Sequence, residues 1–277
     1  MLSLTLEILC IGDELLSGLV LNTNSRWLSR KIAEIGGYVK RTTIVGDDIC
    51  EISSAMQESL ARGIDWLVIS GGLGPTPDDK TLEGVSTALG LELKLDDKAI
   101  EMLRKSYERL SIDHQLNEIR LKMARIPEGS TPIQNPVGTA PSVLLEASSR
   151  NTSTGKIVCL PGVPKEMEAT FSTSIIPILK NEVGAKFHVI ETTHEIIGVG
   201  ESMLTPILSR IISSNPLSSI YVKTHPRGYT VDNKPRIEIQ IVSKGEDKDK
   251  VQMKYRDIFN TLMKEISRLK NNVTTQM

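Results

Sequence analysis

Short apolar runs and amphipathic stretches alternate along the first 90 residues of the chain. Three runs predict strands, because they are short, apolar and rich in β-branched residues. These runs are Leu4 to Ile11, Val39 to Val45 and Trp66 to Ser70. After each run, apolar residues recur at helical spacing, in residues 27–35, 49–62 and 79–89. This order predicts an α/β fold: a three-layer, mostly parallel sheet with helices on both faces.

Residues 96–175 continue this domain with a more mixed pattern. Residues 96–125 are predicted to be mostly helical, and a helix is expected from Lys165 to about Thr173. Between them, residues 143–146 and 156–160 are typical of strands, and the polar residues 148–155 of a hairpin loop. The first domain is therefore expected to span residues 1–175.

Near residue 180 the pattern changes to longer alternating segments. The predicted elements are a strand at 187–193, a helix at 201–212, strands at 220–224 and 236–242, and a helix at 248–269. The order β-α-β-β-α predicts a second, small α+β domain over residues 180–270.

The composition excludes several classes of protein. Hydrophobic residues make up 39% of the 277 residues and charged residues 24%, as in an average soluble protein. No apolar run approaches the roughly 18 residues of a membrane span, and a basic signal-peptide region is absent, so a cytoplasmic protein is expected. The 33 basic and 34 acidic residues nearly balance, which argues against nucleic acid as the partner. Three cysteines without C-x-x-C spacing argue against disulfides or a cysteine zinc site.

The most informative loop runs from Ser70 to Thr81, directly after the third predicted strand. Gly71, Gly72 and Gly74 would let backbone N–H groups approach a phosphate, and the next helix would add its positive end. Asp78 and Asp79 place carboxylates beside that phosphate site, which favours a divalent cation between them. The spacing fits neither a Walker A loop nor the G-x-G-x-x-G fingerprint. A plain strand-to-helix turn with Asp79 as the N-cap is the alternative.

Other loops offer weaker candidates. Asp47 and Asp48 follow the second predicted strand, either as a functional site or as a helix cap with a first-turn acid. Glu14 follows the first strand, either at a site or as a solvated turn residue. The Gly/Pro-rich loops 135–141 and 161–166 either present backbone groups to a ligand or only turn the chain. Loops after parallel strands meet at one edge of the sheet, so several of these should share a crevice.

Six motifs then occur in a characteristic order. They are GDELLSG (12–18), NTN (22–24), VGDD (45–48), GGLGPT with Asp78 and Asp79 (71–79), NPVGTAP (135–141) and LPGVP (160–164). Together they resemble the competence/damage-inducible CinA family over residues 4–175, whose first domain is similar to the molybdopterin-binding MoaB/MogA fold. Residues 180–270 resemble the KH-like domain of CinA proteins. Ser142 departs from the glycine that is usual in the family at this position.

The resemblance implies a metal-dependent pyrophosphatase that hydrolyses ADP-ribose, a small nucleotide substrate, to AMP and ribose 5-phosphate. Asp47 and Asp79 match the aspartates that matter in the MoaB/MogA branch and are the catalytic candidates; with Asp78 they would hold a divalent metal cation. The expected substrate- and phosphate-binding residues are Gly71, Gly72, Gly74, Thr81, Asn135, Gly138, Glu14 and Glu166. The C-terminal nicotinamide mononucleotide deamidase domain of longer CinA proteins is expected to be lacking, and deamidation with it.

Two other hypotheses stay open. The chain is compatible with a molybdopterin-binding protein of molybdenum cofactor biosynthesis, as the fold resemblance suggests. It is also compatible with a non-enzymatic nucleotide-binding or RNA-associated protein, although the G-x-x-G clamp of KH modules is replaced by residues 215–218, NPLS. A homo-oligomer is compatible with the resemblance, because the family fold commonly assembles.

Overall fold

A computed structural model of the chain describes residues 4–111, 115–147, 155–183, 188–214 and 219–274. The chain divides into two compact units, the first comprising Met1–Ala33 and Gly37–Val183, the second Glu34–Gly36 and Gly184–Met277. Residues 148–154 of the hairpin loop expected at 148–155, the start of the strand expected at 187 and the loop at 215–218 lie outside the described residues.

The strands of the first unit form two sheets. They are β1 (Thr5–Ile11), β2 (Tyr38–Val45), β3 (Trp66–Ser70), β4 (Leu93–Leu95), β5 (Arg125–Pro127), β6 (Thr131–Ile133), β7 (Ser142–Ala147) and β8 (Gly155–Leu160). The main sheet has the order β2-β1-β3-β8-β7-β6, in which β2, β1, β3 and β8 are parallel and β7 and β6 antiparallel. β4 and β5 form a separate antiparallel pair.

The helices of the first unit connect these strands. They are α1 (Asp13–Leu16), α2 (Thr23–Glu34), α3 (Ile49–Ala61), α4 (Thr81–Leu89), α5 (Asp97–Arg109), α6 (Glu118–Leu121), α7 (Pro164–Thr170) and α8 (Ile176–Val183). A 3₁₀ turn at Lys122–Ala124 precedes β5, and a π-helical segment at Phe171–Ile175 joins α7 to α8. The mostly helical prediction for residues 96–125 is confirmed by α5, α6 and this 3₁₀ turn, although Arg125 already belongs to β5. The helix expected to end near residue 173 continues in this form to Val183.

The core of the first unit explains why these segments fold as they do. All five residues of β3 are buried, because parallel neighbours flank it on both sides and helices cover the sheet. Leu67 and Ile69 of β3 share a buried apolar cluster with Met56 of α3, Val85 of α4 and Leu103 of α5. Each burial of such a side chain contributes roughly 1.5–3 kcal/mol.

The second unit is an antiparallel sheet covered by helices. Its elements are β9 (His188–Ile197), α9 (Glu201–Ser213), β10 (Ile220–Tyr229), β11 (Pro235–Gly245) and α10 (Lys248–Thr274), with strand order β10-β11-β9. Ile237, Ile239 and Ile241 of β11 are buried with Leu204 of α9 and Leu262 of α10. Along the described residues of both units, no helix has the length and apolarity needed to cross a bilayer.

Candidate functional site

A cleft of about 410 Å³ opens in the first unit where β1, β2, β3 and β8 end. In an open α/β sheet, this carboxyl edge is where ligands bind. Its lining includes these residues predicted from sequence: Glu14, Asp47, Gly71, Gly72, Gly74, Asp78, Asp79 and Glu166. Loops that are far apart along the chain therefore meet in one crevice.

The glycine loop turns sharply at the end of β3. Gly71 and Gly72 have φ values of +118° and +61°, and a Cβ on Gly71 would lie 2.2 Å from the carbonyl oxygen of Ile11. Only glycine fits this turn without strain. Thr81 supports the loop from behind: its Oγ1 donates to the Gly71 carbonyl at 2.7 Å, and its N–H to the Gly72 carbonyl at 3.2 Å. Thr81 is fully buried, so it shapes the loop without facing the cleft.

The carboxylate of Asp79 folds back onto the turn that precedes it. Its Oδ2 accepts from the N–H of Thr76 at 2.9 Å and from the Thr76 hydroxyl. Lys80 occupies the N-cap position of α4, so the interpretation of Asp79 as the N-cap is wrong. Lys122 donates from Nζ to the Thr76 carbonyl at 2.6 Å and supports the same turn. The nearby Thr76 side chain, with the positive charges of Lys122 and Lys80, holds the pKa of the exposed Asp78 below its ordinary value.

Asp47 and Asp48 have different tasks. Asp48 is the N-cap of α3, where its Oδ1 accepts two first-turn N–H groups at 2.9 and 3.1 Å. Asp47 faces the cleft, and its Oδ2 accepts from the N–H of Asp13 at 2.9 Å, while Asp13 Oδ1 accepts from the N–H of Asp47 at 3.2 Å. Burial raises the pKa of Asp47, and the negative charges of Asp13, Glu14 and Asp78 raise it further. The hydrogen bond from the N–H of Asp13 lowers the pKa but does not cancel this rise.

Asn135 connects its loop to Glu166. It is fully buried, and its Nδ2 donates to Glu166 Oε2 at 2.7 Å and to the Ala140 carbonyl at 3.1 Å. Its Oδ1 accepts from the N–H of Gly138 at 2.7 Å. A Cβ on Gly138 would lie 2.0 Å from the Glu166 carboxyl, so this glycine leaves room for the carboxylate. Asn135 therefore positions Glu166 and does not itself line the cleft.

Two basic residues that support the cleft loops were not predicted from the sequence. Arg109, at the end of α5, donates to the carbonyls of Asn135 at 3.1 Å, of Gly138 at 2.7 Å and of Pro136. Lys122 holds the glycine loop as described above. Both act on backbone carbonyls distant along the chain, and neither belongs to a local motif. The sequence feature that could have indicated them is their positive charge, within a segment predicted to be helical.

The donor set of the cleft fits a hard cation that shares its ligands with a substrate. Glu14, Asp47, Asp78, Asp79 and Glu166 all line it, and its lining has no lysine or arginine. Carboxylate oxygens are preferred ligands of Mg²⁺, which typically takes only one or two from protein and the rest from phosphates and water. Among the described residues, no three His, Cys, Asp or Glu side chains are close enough to form a metal cage by themselves. The residues therefore fit a cation that arrives with phosphate better than a closed structural metal site.

The first unit has the MoaB/MogA-like fold, as its mostly parallel sheet and flanking helices indicate, and this prediction is confirmed. Residues 7–181 match the family model described as "Probable molybdopterin binding domain". The chain belongs to this family, because the match covers more than half of it.

Two similar proteins match most of the length of this chain. A protein of Pyrobaculum aerophilum is 40% identical over 245 residues, covering 88% of each chain. A protein of Sulfurisphaera tokodaii is 38% identical over 260 residues, covering 94% of each. Among solved structures, the protein CinA from Thermoplasma acidophilum, described as of unknown function, is 37% identical with a TM-score of 0.55 and covers 65% of this chain and 98% of that chain. These comparisons support the resemblance to CinA for the first unit; the KH-like identity of the second unit stays a prediction.

Proposed function

We propose that the protein is a hydrolase that cleaves the pyrophosphate of ADP-ribose to AMP and ribose 5-phosphate with the help of a divalent cation. The observation that carries the proposal is the meeting of a glycine loop with five carboxylates in one cleft at the carboxyl edge of the sheet. Backbone N–H groups suit phosphate, but carboxylates beside phosphate need a cation between them. The resemblance to the CinA family, from which this activity is expected, is supported for the first unit by the similarity to CinA from Thermoplasma acidophilum.

Each part of the cleft has a proposed task. Gly72 and Gly74 are proposed to present backbone N–H groups to the pyrophosphate, whereas the N–H of Gly71, also expected from sequence to bind phosphate, is donated to the Leu160 carbonyl at 3.1 Å. Asp47, Asp78 and Asp79 are the candidate cation ligands. The cation would take one or two of them and complete its shell with phosphate and water, and Asp47 and Asp79 are the carboxylates most important for catalysis. A bound divalent cation neutralises phosphate charge and lowers the pKa of bound water.

The raised pKa of Asp47 supports this assignment. Burial and the negative charges of three neighbouring carboxylates disfavour the ionised form of Asp47. A cation bound beside Asp47 would offset this repulsion between the carboxylates. Thr81, Asn135 and Gly138 contribute differently from the direct ligand contacts expected from sequence. Thr81 and Asn135 are fully buried and bonded to the chain, so we assign them to shaping the glycine loop and holding Glu166.

The test is incubation of the purified chain with ADP-ribose and Mg²⁺, Mn²⁺, Zn²⁺ or Ca²⁺, with AMP and ribose 5-phosphate followed by chromatography. We expect cation-dependent formation of both products. Asp79→Ala and Asp47→Asn should abolish it, whereas Asp48→Asn should retain it, because an asparagine can still cap α3. No AMP with any cation, or equal loss in Asp48→Asn, would refute the assignment.

A second function is favoured by the family itself, whose description names molybdopterin binding. In that case the glycine loop would hold the single terminal phosphate of a pterin. Equilibrium binding of molybdopterin, measured by fluorescence, separates the two functions: tight binding without any turnover of ADP-ribose would favour the pterin function. Turnover of ADP-ribose that molybdopterin fails to inhibit would favour the hydrolase.

A further inference from the structure

Glu166 lines the cleft with one carboxylate oxygen anchored by a buried side-chain amide. It lies in the first turn of α7, half-buried, with Oε2 bonded to Asn135 at 2.7 Å. Its second oxygen, Oε1, has no hydrogen-bond partner within the part of the chain that the structure describes. One oxygen therefore fixes the carboxylate, and the other remains available to a molecule in the cleft.

The amide of Asn135 cannot turn away from Glu166 without breaking other bonds. Nδ2 uses its second hydrogen on the Ala140 carbonyl, and Oδ1 accepts from the N–H groups of Val137 at 3.0 Å and Gly138 at 2.7 Å. Since Asn135 is fully buried, loss of any of these bonds would leave a buried polar group unpaired. The orientation of the amide is thus set by its own loop.

Arg109 stabilises that loop from the outside. Its guanidinium donates to three carbonyls of the loop, those of Asn135, Pro136 and Gly138. The fixed fork of the guanidinium suits such multiple contacts, which a lysine ammonium cannot reproduce in the same geometry. Arg109, Asn135 and Glu166 therefore form a continuous chain of hydrogen bonds from α5 to the cleft.

The aspartates of the cleft are used in other ways. Asp79 Oδ2 already accepts two hydrogen bonds from Thr76, and Asp47 Oδ2 accepts from the N–H of Asp13. The proposed function assigns both to the cation. Like Glu166, each also has a second oxygen with no partner among the described residues, so the proposed assignment of the aspartates to the cation leaves Glu166 as the remaining anchored carboxylate of the cleft.

We propose that Glu166 accepts the proton of the attacking water in pyrophosphate hydrolysis, with Asn135 and Arg109 as positioning residues; this rests on the proposed function. The water oxygen forms a bond to one phosphorus while the bond from that phosphorus to the bridging oxygen breaks. The bridging oxygen leaves with the bonding electron pair on the second phosphate, and the water proton passes to the Glu166 carboxylate. Glu166 later releases this proton to solvent.

The first test is Glu166→Gln, which keeps the shape of the side chain and an oxygen that can accept from Asn135. General-base catalysis typically contributes 10²–10⁴-fold, so we expect kcat to fall by about that factor while the Kd for ADP-ribose changes less than about threefold. Glu168→Gln, on the same helix but outside the cleft lining, is the matched control and should keep full activity. If the wild type is active, the role of Glu166 is overturned by an unchanged kcat in Glu166→Gln, or by a Glu166→Gln protein that loses only its affinity for ADP-ribose. An inactive wild type overturns the proposed function and this inference together.

The second test addresses the positioning residues. Arg109→Ala should lower kcat by about 10–100-fold with little change in KM. If the Glu166 carboxylate shifts by about 1 Å, it is no longer aligned with the attacking water, but no contact that binds the substrate is lost. Arg109 is exposed, so millimolar guanidinium should restore part of kcat, and Arg109→Lys should be intermediate. Arg104→Ala, an exposed arginine of the same helix, should show neither loss nor rescue. Unchanged kcat in a folded Arg109→Ala protein overturns the positioning role. So does a loss of activity that guanidinium does not restore and that is equally large in Arg109→Lys.

Discussion

Replacing Gly71 by alanine tests whether the glycine loop tolerates any side chain. At φ +118°, the new Cβ would lie 2.2 Å from the carbonyl oxygen of Ile11, at the end of the neighbouring strand β1. Gly63→Ala is the matched control. Gly63 also has positive φ, at +67°, but a Cβ there would meet nothing within 4 Å.

The two substitutions share a conformational cost and differ in a steric one. Placing an L-residue in the left-handed α region costs roughly 1–2 kcal/mol, which applies to Gly63 and is a lower bound for Gly71, whose φ lies beyond that region. At Gly71 the backbone must move by about 1 Å to relieve the overlap, and such overpacking typically costs 1–3 kcal/mol more. The contact is with backbone, which cannot rotate away as a side chain would. We therefore expect Gly71→Ala to lose about 2–5 kcal/mol and Gly63→Ala about 1–2 kcal/mol.

Urea denaturation followed by tryptophan fluorescence measures the difference. Trp27 and Trp66, the two tryptophans of the chain, both belong to the first unit, so their emission reports its unfolding. The midpoint of Gly71→Ala should fall below that of Gly63→Ala at the same slope. If the two variants unfold at equal urea concentration, the close approach to Ile11 is not a real constraint, and the steric argument for this glycine is wrong.

Three further outcomes follow from the described contacts. Burial acts to raise the pKa of Glu7, but hydrogen bonds led by Arg62 outweigh it and hold the pKa below 4.5. The stability that this pair contributes is present above pH 4.5 and is lost as the pH falls through the depressed pKa. In Glu7→Gln, the free energy of unfolding from urea titrations should therefore fall less steeply at acid pH. Asp47→Asn keeps an oxygen that can accept from Asp13, so thermal denaturation with chelator should show no loss of stability at neutral pH; a lowered midpoint would mean that the charge is structural. Ile239→Ala should destabilise the second unit by about 2–5 kcal/mol in far-ultraviolet circular dichroism, because its side chain is fully buried.

The long, strongly patterned elements could be predicted from sequence, and the short ones could not. β1 and β3 are mostly apolar segments, interrupted by Glu7 and ended by Ser70, because parallel neighbours and helices bury both of their faces. β4, β5 and β6 have three residues each, and Pro127 and Pro132 interrupt the last two, so neither length nor alternation marks them as strands. Their formation depends on partners far along the chain, which periodicity cannot identify.

The candidate site shows the same division. Adjacent aspartates indicated a site after β2, but nothing local told which of Asp47 and Asp48 caps α3. For Asn135, a loop motif suggested contact with a ligand, whereas the structure uses the side chain inside the protein, in a bond to a residue 31 positions away. Residue type and strand ends therefore locate the cleft, while the roles within it depend on long-range hydrogen bonds.

The position of β8 in the main sheet has a consequence for synthesis of the chain. β8 is the last strand of the first unit to leave the ribosome, yet it pairs between β3 and β7 near the middle of the sheet. Until Gly155–Leu160 has emerged, the nascent chain presents β3, apolar from Trp66 to Ile69, with one unpaired edge. Unpaired apolar edges recruit other strands, so this interval is when chaperone capture or aggregation would compete with folding.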